Sequence, residues 1–161
     1  MKSLSEGTLV LLPYRDRSEA ERRALGLVAR RQPRGAVVAL YVFSEVPPAL
    51  DERGGASLPR PSDAMFRGRM SDHYIRTGAW PSLGVHPSFR RGNWPFDRVG
   101  HRDAISGRCK AVLLDDRNPL KIVDVVDEEC AEVARLPGDT IYAPDWLVED
   151  LLPGMSAGSE L

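Results

Sequence analysis

Three histidines, two cysteines and a dense population of arginines and acids are the residues of this 161-residue chain whose types suit them for chemistry. A metal centre needs ligands that converge, and His73, His86 and His101 are widely spaced, with no His-x-x-x-His or Cys-x-x-Cys pair. Ser82, His86 and Asp97 supply the side-chain types of a hydrolase, but no nucleophile-elbow motif surrounds Ser82, and chains of this size commonly hold such a trio. Phosphate-loop and dinucleotide patterns are absent. Cys109 and Cys130 have no zinc spacing and form no disulfide framework. The expectation is a protein without a metal, a cofactor or an enzymatic centre.

Charge offers more. Of the 22 basic residues, 19 are arginine, with Arg30, Arg31 and Arg34 in one group and Arg90, Arg91 and Arg98 around Trp94 in another. A basic loop with an interleaved aromatic is the minimum for stacking single-stranded nucleic acid. The competing reading is a solvated turn whose tryptophan is packed inside, favoured by Pro95 and Phe96 beside it. Residues 1–114 carry 19 Arg+Lys and 11 Asp+Glu, net +8, whereas residues 115–161 carry 3 and 12, net −9. Either the halves complement each other internally, or an acidic face is offered to a basic partner. Asp127, Glu128 and Glu129 suit the start of a helix. Asp124 and Glu132 are left over, with Asp115 and Asp116 at a turn, and these four are the candidate docking residues.

The elements that must carry these residues follow from hydrophobic pattern and turn chemistry. Residues 8–12 form a continuous apolar run closed by Pro13, which predicts a buried strand. Ser18-Glu19-Ala20-Glu21 matches a capping box and predicts a helical turn, followed by a strand over 24–31. Gln32-Pro33-Arg34-Gly35 suits a type I turn. Residues 36–43, apolar on both faces, predict a central strand paired with its predecessor and covered on both sides. Residues 50–61 read as loop, 63–70 as a short strand or turn, and 73–76 as a strand. That strand leads into residues 78–96, where Trp80-Pro81 and Trp94-Pro95 predict an irregular aromatic clasp that is neither helix nor strand. Residues 109–114 and 120–126 predict a hairpin, Asp127 the cap of a helix, 139–143 a last strand, and 145–152 a terminal helix.

Length and composition fit one domain over residues 7–152, preceded by an arm at 1–6 and followed by a disordered tail at 153–161. The fold class expected is α+β: a mainly antiparallel, strongly bent or barrel-like sheet with two or three short helices. The longest apolar run is eight residues and the start lacks the apolar core of a signal peptide, so a cytoplasmic location is expected, without membrane attachment.

With hairpin and clasp in place, the order of elements resembles immunity protein family 26 of bacterial polymorphic toxin systems. The resemblance rests on Gly7-Thr8-Leu9-Val10-Leu11-Leu12-Pro13, on Gly26 within residues 25–30, on the apolar strand ending at Phe43, and on Gly78-Ala79-Trp80-Pro81-Ser82-Leu83-Gly84 with Trp94-Pro95 nearby. It spans residues 7 to about 100. Thr8 stands where the family often has an acidic residue, and the segment 15–23 is longer than a tight connection needs. The resemblance implies a non-enzymatic cytoplasmic protein that binds and blocks a cognate toxin domain, a nuclease being one such toxin. Gly7, Gly26, Gly78, Trp80, Pro81, Gly84, Trp94 and Pro95 would then maintain the fold. The alternative of a different class is an arginine-rich nucleic-acid-binding or regulatory module.

Overall fold

Alternation along three neighbouring strands sets the architecture. In a computed structural model that describes residues 4–47, 50 and 57–156, β1 (Thr8–Arg15), β2 (Glu21–Arg31) and β3 (Val37–Phe43) pair antiparallel at the centre of a sheet. Strands β4 (Phe66–Ser71) and β5 (Ser82–Val85) flank them, and β9 (Ile141–Tyr142) adds a parallel edge, giving the order β5-β1-β2-β3-β4-β9. A second antiparallel sheet holds β6 (Arg98–Arg102), β7 (Cys109–Asp115) and β8 (Asn118–Asp127). Successive side chains of a strand point to opposite faces, so the central strands feed two cores. Leu9, Leu11, Leu25, Leu27, Tyr41 and Phe43 pack with Trp94, Phe96 and, from the second sheet, Val99, Val112 and Leu114. Val10, Leu12, Val28, Leu40, Val42 and Met70 pack on the other side with Ile75, Trp80, Leu147 and Leu152. The central strands are covered on both faces, which is why they read as continuous apolar runs.

Helix α1 (His73–Arg76) covers the second face, α2 (Cys130–Val133) packs against β6 and β7, and a C-terminal helical segment over 144–156 completes the cover of the second face. That segment runs through α3 (Pro144–Trp146), a π-helical turn at Leu147–Leu151 and α4 (Leu152–Ser156). The wide turn immediately precedes Pro153, whose ring clashes with the carbonyl four residues back in a regular α-helix. The fold is therefore α+β and mainly antiparallel, in one domain. The expected barrel-like closure does not form: the sheets pack face to face and retain separate edges.

Several local expectations are corrected. The Ser18–Glu21 stretch is a β-turn region, not a helix start, because Asp16 takes its hydrogen bonds first. Its carboxylate accepts the Ser18 N–H (2.9 Å), the Ser18 hydroxyl (2.6 Å), the Ala20 N–H (3.0 Å) and Arg22 Nε (2.8 Å). Led by the Ser18 bond, these hold its carboxyl far below the usual carboxylate range. Strand β1 runs through Pro13, since β5 leaves after Val10 and the missing N–H falls at an open edge. Residues 73–76 are a helical turn, and Ser82–Val85 is a strand on β1 within the supposed irregular clasp. Strand β6 was not anticipated from the pattern. Asp127 ends β8, so the N-cap of α2 falls on Glu129; the cap of α3 falls on Ala143, ahead of Asp145. The tail expected from residue 153 is helical to Ser156, and residues 157–161 lie outside the described residues. Within the expected loop at 50–61, Leu50 is buried in the first core, and positions 51–56 likewise lie outside the description.

The cysteines are the clearest correction. Cys109 opens β7 and Cys130 opens α2, and the return of β8 brings their Cα atoms to 5.1 Å, where they form a disulfide. Twenty-one residues of sequence hid a contact that strand pairing creates.

Candidate partner-binding surface

The residues that could recognise something converge where the N-terminal segment, the end of β2, the 3₁₀ turn Arg91–Asn93 and the β7–β8 turn meet. Strand β2 carries a bulge between Val28 and Arg30, so that Arg30 lies opposite Ala39 and shares its face. The bulge turns this arginine toward the second sheet. There it is 3% exposed, and its Nε reaches Asp116 Oδ1 at 3.0 Å while another nitrogen reaches the Ala29 carbonyl at 2.7 Å. Arg91 grips the same aspartate from outside, donating to its carboxylate and its carbonyl oxygen, and also to Glu6 Oε2 at 2.7 Å. Burial opposes ionisation of Asp116, but the hydrogen bonds from Arg91 and Arg30 outweigh it and hold the carboxyl below its ordinary range. Although exposed, the residue is committed as a clasp joining the two sheets.

Of the other three candidate acids, Asp115 and Asp124 lie on the same hairpin and Glu132 beyond it, and they do not form one cluster. Asp115 sits at the turn, 3.7 Å from Lys121, and accepts the Arg117 N–H at 2.9 Å. Asp124 lies mid-strand opposite Leu113 and bonds only the neighbouring Val125 N–H at 2.8 Å. Glu132 stands on α2, 3.3 Å from Arg135. Asp127 and Glu129, which capping was expected to absorb, pair with no cation among the described residues. Between these acids runs an apolar edge. Strand β8 pairs only with β7, and Ile122, Val123 and Val125 are 55%, 55% and 46% exposed.

The signature residues occupy the cores and the bends. Trp80 is 1% exposed and meets Tyr74 edge-on at 5.6 Å. Trp94 is likewise buried, edge-on to Tyr41 and Phe43 at 5.1 and 6.0 Å, and the Pro95 carbonyl accepts a hydrogen bond from Tyr41. Pro81 precedes β5, and its carbonyl accepts the Leu11 N–H at 2.9 Å. Gly78 and Gly84 both have positive φ. A Cβ on Gly26 would stand 2.8 Å from Val10 and 2.9 Å from Leu12, and one on Gly7, at φ +82°, would stand 2.7 Å from the Phe89 ring. Burial of Trp94 leaves Arg90, Arg91 and Arg98 without an aromatic platform for stacking bases.

Two residues of the hydrolase trio engage backbone N–H groups two positions ahead of them. Ser82 is exposed with its hydroxyl accepting the Gly84 N–H, and His86 is buried with Nδ1 accepting the Ser88 N–H. Among the described residues no group of His, Cys, Asp and Glu could hold a metal ion. Comparison with protein-family models, curated proteins and solved structures found no match.

Proposed function

We propose that this protein is a non-enzymatic immunity protein that binds and neutralises a cognate toxin domain. The observation that carries the reading is the β8 edge: three exposed β-branched side chains on a strand paired on one side only, with Asp124, Asp127 and Glu129 alongside. An exposed apolar edge invites an additional strand, and acids around it favour a basic one. The order of signature residues at 7–96 supports the same reading. The cytoplasm is the compartment it assumes; no helix among the described residues is long and apolar enough to cross a membrane. In a reducing cytoplasm Cys109 and Cys130 would stand as thiols, and the disulfide would belong to the oxidised protein.

The structure alters the docking set. Neutralising Asp116 would strand Arg30, so the test uses Asp115→Asn, Asp124→Asn and Glu132→Gln together, with Val123→Lys as a separate probe of the edge. The toxin domain encoded beside the gene is co-expressed with each variant, and association is followed at two salt concentrations. The triple variant should associate about tenfold more slowly at low salt, and Val123→Lys should dissociate faster and fail to protect. Full protection with unchanged kinetics in both would remove this surface. A neighbouring gene whose product is harmless would remove the immunity reading itself.

A further inference from the structure

A second charged surface lies on the other side of the Asp116 clasp. Leu4, Ser5, Glu6, Arg31, Pro33, Arg91 and Arg117 line an open cleft of about 540 Å³. Its three guanidinium groups face the Glu6 carboxylate, which Arg91 Nε holds at 2.7 Å, and Arg91 also holds the Asp116 carboxylate beside the cleft. Arg91 uses three of its five N–H donors on Glu6 and Asp116, which fixes the group in place and leaves two N–H donors uncommitted. Arg31 and Arg117 have no side-chain partner among the described residues, and Arg31 Nε is buried without a hydrogen-bond acceptor. The lining residues carry a net charge of +2, and guanidinium forks match the geometry of phosphate oxygens.

We infer that this cleft binds a small dianionic oxyanion, a phosphate group either free or as a monoester, through Arg31, Arg91 and Arg117. A single carboxylate would satisfy one fork and leave the others bare; a phosphate has oxygens for several. Leu4 and Pro33 form an apolar wall against which the body of a monoester rests. The inference is independent of the immunity reading, since β8 takes no part in it.

Calorimetric titration of the intact protein with inorganic phosphate and with phenyl phosphate tests it. Both should bind, phenyl phosphate more tightly, at about millimolar affinity or better. Arg31→Gln and Arg117→Gln should each weaken binding about tenfold, and the pair should abolish it. Arg108→Gln, exposed and outside the cleft, should change nothing, and matching thermal melts should establish that all variants fold. Absence of binding at about 20 mM phosphate, or binding indifferent to Arg31 and Arg117, overturns the assignment. A single-stranded oligonucleotide that binds more tightly than phenyl phosphate, with steep salt dependence removed by the same two changes, overturns it in favour of nucleic acid.

Discussion

Trp80 concentrates much of the second core in one side chain. Its indole is buried in the core shared by β1 and the C-terminal helical segment, and its backbone N–H donates to the Tyr74 carbonyl at 2.9 Å, tying the residue to α1. Replacement by alanine removes a large buried ring and leaves a cavity that rigid strands cannot close. Trp80→Ala should cost about 3–5 kcal/mol, enough to unfold a marginal domain. Urea melts measure it; a loss below about 1 kcal/mol would mean the ring is not packed in solution. Gly26 works by the opposite means. Its missing side chain admits Val10 and Leu12 from the neighbouring strand, so the residue is structural although it resembles a helix breaker in the sequence.

At the scale of elements, the β7–β8 hairpin and α2 form a unit with its own closure. Cys109–Cys130 joins the first residue of β7 to the first of α2, across the exposed edge strand β8. Cross-linking a loop of this length restricts the unfolded chain by about 3 kcal/mol in the loop-entropy picture. Cys109→Ser should therefore lower stability by up to about that amount in oxidising buffer and by far less with reductant present. Melts with and without dithiothreitol, alongside thiol titration, compare the two. An equal loss in both conditions would assign the effect to packing of the buried Cys109 side chain. Strand β8 also carries register shifts near Leu114, the kind of irregularity that keeps an edge from pairing with copies of itself.

Across the whole molecule, the opposed charges of the two halves are used partly inside. Arg30 and Arg91 meet Asp116, Arg69 meets Asp139 at 2.7 Å, and Arg98 meets Glu128 at 3.1 Å, each a basic residue from before position 115 with an acid from after it. The acids that remain outward lie on β8, around α2 and, at Asp145, Glu149 and Asp150, on the C-terminal helical segment. Because the Asp116 carboxyl is held below its ordinary value, its contribution is complete at neutral pH. It falls away as pH drops below the ordinary carboxylate value of about 4 and through the folded one. Asp16 and Asp103 are shifted in the same direction and add to acid lability. Asp116→Asn should be less stable than the parent at neutral pH, and the gap should narrow in acid. Denaturant melts at neutral pH and at about pH 2.5 read this difference. A gap that stays constant would mean that Asp116 contributes shape without charge.

The sequence by itself determined the central strands and the hairpin at Pro33-Arg34-Gly35 and favoured packing of Trp94, because these rest on local signals: continuous apolar runs, turn residues and the apolar neighbours Pro95 and Phe96. It also exposed the imbalance of charge between the halves. Only the tertiary structure decided that Asp116 is spent between Arg30 and Arg91, since a one-residue bulge in β2 aims Arg30 and no local pattern announces it. The same holds for the disulfide, the parallel β9 edge and the cleft of Arg31, Arg91 and Arg117. Each brings together residues far apart in sequence, and their proximity is created by strand pairing and sheet packing.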